Sequence, residues 1–72
     1  MRIRCTRHSL ARMRARGISK RLVTECLVRA QNFEQQPGGL TKFVYRIKGK
    51  KLVVIANKKK ENYLIITTYY EN

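Results

Sequence analysis

The sequence predicts an α+β domain in which two N-terminal helices pack on one face of an antiparallel sheet of three or four strands, ααβββ or ααββββ. Three observations predict it. Apolar residues between Leu10 and Ala30 recur at helical spacing, whereas beyond the break at Pro37, Gly38 and Gly39 the alternation becomes two. Gly17-Ile18-Ser19 interrupts the helical part with a stop signal followed at once by a start signal.

Thr6 is placed to cap a first helix that runs to about Arg16, and Gly17 suits the left-handed residue that ends it. Leu10, Met13 and Gly17 are expected to face the sheet. His8, Arg12 and Arg16, at i, i+4 and i+8, form a stripe on the other side, flanked by the small Ala11 and Ala15. Ser19 caps a second helix that extends to about Ala30, with Leu22, Val23, Cys26, Leu27 and Ala30 as its buried stripe. The three-residue joint leaves only a helical hairpin or an angled pair.

NFEQQPGGL reads as a loop, within which Asn32 to Gln35 are open to a short extended piece. KFVYRIK then alternates as a strand. A type II′ turn at Lys48-Gly49-Lys50-Lys51 would pair Ile47 with Leu52 and Tyr45 with Val54. The expected core face is Phe43, Tyr45, Ile47, Leu52, Val54 and Ala56; Arg46, Lys48 and Lys51 share the opposite face with Val53 and Ile55. KKKEN is a polar hairpin loop, and YLIITTYY is the last strand, apolar or aromatic on both faces. A one-residue change of pairing decides whether Thr67 and Tyr69 or Thr68 and Tyr70 face the core.

The chain has 72 residues, which allows one domain, residues 1–72, with a thin core. No apolar run approaches the roughly 18 residues of a membrane span, and MRIRCTRH lacks the apolar stretch of a secretory signal. A cytoplasmic location is therefore expected. Cys5 and Cys26 have no CxxC spacing and read as reduced thiols; with the single histidine they are too few for a four-ligand zinc site, so no metal or other cofactor is expected.

Charge is the dominant feature. Seventeen Lys and Arg face four Glu and no Asp, a formal charge of +13 whose self-repulsion works against a compact state. A polyanion offsets such repulsion, because cation–phosphate contacts release counterions. The basic residues are spread along the chain with no strongly hydrophobic helix face to insert, which argues against a membrane surface. Nucleic acid leads, with an acidic protein partner as the rival.

Like charges at i, i+4 destabilise a helix by about 0.2 to 0.5 kcal/mol per pair. Arg7, Lys20 and Arg21 also sit at helix starts, where the macrodipole disfavours cations. The stripe makes sense if a bound anion completes it; otherwise it is a solvated basic face. If catalytic, it suits metal-free phosphodiester transesterification. His8 would exchange a proton with a ribose 2′-OH or a leaving 5′-oxygen, while Arg12 and Arg16 hold the phosphate and its developing charge. Two-metal and paired-carboxylate schemes lack their ligands. Ser9 adjoins His8 on the helix, where neighbours point apart, so a serine nucleophile is set aside. If the helix stripe and the basic sheet face lie on opposite sides, they cannot form one site.

Thr6-x-His8-Ser9-x-x-Arg12-Met13-x-x-Arg16-Gly17-Ile18-Ser19, followed by a helix centred on Val23 and a Thr-Thr-Tyr-Tyr ending, resembles a family of small bacterial and phage domains. Its members open with a His-Ala/Ser-x-x-Arg-Met-x-x-Arg-Gly-Ile-Ser helix and close on a Thr-x-Tyr strand. That family is similar to the RelE/ParE-like toxins and to the barnase–EndoU–colicin–RelE group of metal-independent ribonucleases. The resemblance covers nearly the whole chain. It implies a RelE/barnase-like fold, cleavage or binding of RNA, and an acidic antitoxin as partner. The positions it implies are His8, Arg12, Arg16 and one Thr-x-Tyr pair, with Thr68 and Tyr70 assigned to catalysis and Thr67 and Tyr69 to nucleic-acid contact beside Arg46, Lys48 and Lys51. RelE-type enzymes commonly carry their basic and tyrosine groups on the sheet and C-terminal segment, whereas here the histidine and two arginines lie on the first helix. Three readings result: a toxin-like endoribonuclease, a non-catalytic nucleic-acid-binding module, and a basic protein that docks on an acidic partner.

Overall fold

A computed structural model describes residues 1–71. Its elements run β1 (Arg2–Cys5), α1 (Arg7–Arg16), α2 (Lys20–Arg29), β2 (Asn32–Gln36), β3 (Leu40–Ile47), β4 (Lys50–Lys59) and β5 (Asn62–Glu71). The two helices are where the caps place them. Thr6 Oγ1 accepts from the Ser9 amide at 3.0 Å and Ser19 Oγ from the Leu22 amide at 3.0 Å. Gly17, at φ 66°, closes α1 in a Schellman arrangement: its own N–H reaches Arg14 O, and the Ile18 N–H reaches Met13 O at 2.8 Å.

The sheet corrects the expected fold class. It has five strands in the order β1-β5-β4-β3-β2, and β1 runs parallel to β5, so it is a mixed sheet and not three or four antiparallel strands. β1 escapes a local reading because four residues are too few to establish alternation and its partners lie about sixty positions away, Arg2 opposite Asn62 and Cys5 opposite Ile65. A parallel pair needs a long crossover; here the rest of the domain supplies it. β2 is the extended piece at Asn32–Gln36, paired with β3 from Asn32↔Val44 to Gln36↔Leu40.

The β3–β4 hairpin also departs from expectation. Lys48 (φ 50°) and Gly49 (φ 77°) are both left-handed, which makes a two-residue type I′ turn between Ile47 and Lys50 instead of type II′. Tyr45 therefore pairs with Leu52, not Val54. A shift of two preserves parity, so the expected face still turns inward: Phe43, Leu52, Val54 and Ala56 are buried and Tyr45 packs against them.

In β5 the alternation breaks. Ile55 pairs with Thr67 but Ala56 pairs with Ile65, leaving Ile66 as a bulge. Tyr63 and Ile65 face the helices before the bulge, Thr68 and Tyr70 after it. The junction of β1 and α1 occupies the bulge carbonyls: the Thr6 amide donates to Ile65 O at 3.1 Å and Thr6 Oγ1 to Ile66 O at 3.4 Å. α1 then packs along β5, while α2 packs on β3 and β4.

The core between helices and sheet contains Met13, Ile18, Val23, Cys26, Leu27, Phe43, Leu52, Val54, Ala56 and Ile65. On α1 the buried positions are Ser9 and Met13, whereas Leu10 remains 44% exposed. The small Ser9 lets the helix approach β5 closely, and its hydroxyl is satisfied by Thr6 O at 2.8 Å. Cys26 lies fully buried, its thiol 3.9 Å from the carbonyls of Phe43 and Leu52. Burial raises its pKa from 9.0 to about 12. The unfolded thiol loses its proton near 9.0 while the folded one keeps it, so this contribution to stability is present below pH 9 and is lost as pH rises toward about 12. Cys26 is accordingly expected to resist iodoacetamide under native conditions and to react once the chain is unfolded, with the adduct located by peptide mass spectrometry.

Candidate functional site

On α1, His8, Arg12 and Arg16 are all exposed, and Arg12 Nε donates to His8 Nε2 at 3.5 Å. The spacing of four brings imidazole and guanidinium together as the sequence predicts. The three side chains lie outside the four clefts described below, which the sheet and its hairpins form. Together they form an exposed basic stripe along α1.

The two Thr-x-Tyr pairs lie on opposite faces because of the strand alternation beyond the bulge. Thr68 is fully buried, and its hydroxyl donates to Val53 O at 2.9 Å. That bond and the burial withdraw Thr68 from any contact with a phosphate. Tyr70 is half-buried against the core, with Lys50 Nζ 5.2 Å above its ring. Thr67, paired with Ile55, and Tyr69, paired with Val53, turn to the face that no helix covers.

That open face carries most of the remaining candidates. Its centre is apolar: Val53 is fully buried there between its register partners Val44 and Tyr69, and Ile55 and the exposed Leu64 continue the strip. Cations stand at both ends. Arg46 and Lys51 face each other across β3 and β4, where like charges destabilise the pair. Together with Lys48 in the turn, Lys50 and the Glu71 carboxylate they line a cleft of about 350 Å³. Lys42, nearer the middle, is paired with Glu71 at 3.6 Å.

The other end was missed by sequence reasoning. Arg2 and Arg4 alternate with Ile3 and Cys5 in β1, so both guanidiniums point to the open face, beside Asn62 and Leu64 of β5. With Asn57 and Lys59 they line a cleft of about 270 Å³. The signal was present in the alternation Arg2-Ile3-Arg4-Cys5, but only the parallel pairing with β5 turns it into a site. Lys51 to Lys59 spans eight residues of strand, or about 26 Å at roughly 3.3 Å per residue.

The predicted residues therefore form two surfaces: the stripe of His8, Arg12 and Arg16 on the helical side, and Arg46, Lys48, Lys51, Thr67 and Tyr69 on the open sheet side. The helical layer and the sheet separate them, so they do not make one site. Each surface carries an excess of positive charge. No helix is long and apolar enough to cross a membrane among the described residues.

Neither the curated proteins nor the solved structures contain a match to this chain. The family model described as Domain of unknown function (DUF4258) matches residues 5–70, from the end of β1 to the last turn of alternation in β5. The matched segment holds both helices, the β3–β4 and β4–β5 hairpins and the bulge, and the chain belongs to that family.

Proposed function

We propose that the domain binds nucleic acid across the open face of its sheet. The observation that carries this reading is the apolar strip of Val44, Ile55, Leu64 and Tyr69 bracketed by Arg2, Arg4 and Lys59 at one end and Arg46 and Lys51 at the other. Cations at the ends anchor phosphates, and the aromatic and aliphatic surface between them receives bases or sugars, which need no charge. A net charge of +13 supplies long-range attraction for the same ligand. Titration of a labelled RNA oligonucleotide at several salt concentrations tests it. Log K is expected to fall with log salt by about 0.7 for each phosphate contact on a single strand. Salt-independent binding, or no binding, would remove the reading.

The second reading is the metal-independent endoribonuclease implied by the resemblance, and the adjacency of His8 and Arg12 favours it, provided that Arg12 Nε leaves His8 Nε2 for the phosphate and so frees that nitrogen as base. His8 Nε2 would take the proton of a ribose 2′-OH as that oxygen attacks phosphorus. The products are a 2′,3′-cyclic phosphate and a 5′-hydroxyl protonated by water, with Arg12 and Arg16 beside the phosphate. RNA cleavage in the presence of a chelator is expected to be lost on His8→Ala. Equal product from wild type and variant would leave binding alone. A docked acidic protein, such as an antitoxin, would use the same cations and compete with RNA for them.

A further inference from the structure

The helix-facing side of the sheet is not fully covered. α2 packs on β3 and β4, and the edge strand β2 projects beyond it, leaving Phe33 65% exposed although it faces the same side as the core. Phe33 stands edge-on to Phe43, with centroids 5.4 Å apart at 81°, and Phe43 stands 6.0 Å from Tyr63 at 68°. The three rings form a row from β2 to β5, with β4 and its small Ala56 between the last two.

This row floors an open cleft of about 380 Å³, also lined by Gln35, Thr41 and Lys58. Lys58 Nζ lies 5.7 Å over the Tyr63 ring. The cleft thus has the exposed Phe33 ring and the half-buried Tyr63 ring over a floor of Phe43 and Leu27, with a side-chain amide, a hydroxyl and a cation at the rim. These are the groups that stack a flat heterocycle, bond its edge and hold an attached phosphate.

The lysine run connects this cleft to the open face. Lys58 and Lys59 are consecutive in β4, so alternation sends Lys58 to the helix side and Lys59 to the open side; Lys60, at φ 57°, completes the turn. Tyr63 borders the clefts on both faces and a third at the hairpin end that contains Lys58 and Lys60. One hairpin therefore carries three consecutive lysines from one face of the sheet to the other, followed by the Glu61 carboxylate at its tip.

We propose that the Phe33–Phe43–Tyr63 cleft seats an unpaired base of a single-stranded nucleic acid whose backbone passes around the β4–β5 hairpin. The inference rests on the nucleic-acid reading above and narrows its ligand to single strands, because a paired base has no free face to offer the rings. Charge selects this occupant over a second copy of the chain, since two molecules of +13 repel and the rim of the cleft is itself cationic.

Phe33→Trp provides the test. Phe33 is exposed, so the exchange spares the core, and the chain has no tryptophan of its own, so all indole emission comes from this site. Short single-stranded oligoadenylate is expected to quench that emission as it binds, whereas inorganic polyphosphate binds without quenching. Phe33→Ala is expected to weaken oligoadenylate binding by about 5- to 150-fold, the range measured for one stacked base. Oligoadenylate that binds, followed by anisotropy of a labelled strand, without quenching Trp emission would overturn the cleft assignment and leave the open-face reading standing. Equal quenching by polyphosphate, or binding of a duplex as tight as that of the single strand, would overturn it too. Absence of any binding to the unmodified chain would remove both.

Discussion

Arg4→Ala combined with Lys59→Ala is expected to weaken oligonucleotide binding by about 25-fold at 0.1 M salt, because each lost phosphate contact on a single strand removes a counterion-release factor of about fivefold there. The salt slope should become shallower by about 1.4 for the pair. Both side chains are exposed and line the same cleft, and neither has a hydrogen-bond or salt-bridge partner among the described residues. Their removal should therefore change stability by no more than about 0.5 kcal/mol. The informative control is Lys20→Ala with Arg29→Ala, which removes the same charge from α2 on the other side. A general attraction to net charge would make the two double variants equally weak. A site on the open face predicts that only the first changes both affinity and slope, which fluorescence anisotropy across a salt series measures directly.

Leu52→Ala is expected to cost about 2 to 5 kcal/mol. Leu52 is fully buried at the centre of the sheet, paired with Tyr45 on one side and Tyr70 on the other, and its carbonyl lies against the Cys26 thiol. A domain of 72 residues has in total about 4 to 11 kcal/mol at the usual 0.05 to 0.15 per residue. The substitution should consume a large share of that. For a domain of this size each kcal/mol moves the melting temperature by about 4 to 8 °C, so circular dichroism should show a fall of at least about 8 °C or no folded baseline. Phe33→Ala, on an exposed ring, should fall far short of this. A ligand that binds the folded state raises both melting temperatures, and the rise measured with oligonucleotide gives an independent estimate of affinity. A Leu52→Ala protein that melts with wild type would place the core elsewhere.

Much of the fold is legible in local sequence because its signals are short-range. The caps at Thr6 and Ser19 and the left-handed Gly17 each act within one helical turn, and they set both helices. The inward face of β3 and β4 is equally legible. Even the misplaced turn at Lys48-Gly49 left Phe43, Leu52 and Val54 inside, since a register error of two returns every side chain to its own face. Leu10, expected to face the sheet, is exposed and Ser9 is buried beside it, for a different reason. Which of two neighbouring helix positions is buried depends on how close the helix lies to the sheet, and only a small residue fits where α1 touches β5.

The candidate site was less legible. Helical spacing brought His8 and Arg12 together, but spacing cannot show whether a stripe borders a recess. The two Thr-x-Tyr pairs could not be told apart because the bulge at Ile66 changes the parity of β5 halfway along its length. Arg2, Arg4, Asn57 and Lys59 belong to one cleft, yet nothing in the sequence joins them. They meet through the parallel pairing of the first strand with the last.

By itself the sequence determined the helical pair, the hairpin strands, the inward face of the sheet and a formal charge of +13. These follow from composition and from periodicities that repeat within a few residues. The tertiary structure alone decided that β1 closes the sheet, that Thr68 is a buried structural hydroxyl while Thr67 is not, and that the cations divide between a helical stripe and an open sheet face. Those outcomes depend on pairings between residues up to sixty positions apart and on one extra residue in β5, where the energy of a contact is set by what lies across the fold and not by what lies next in the chain.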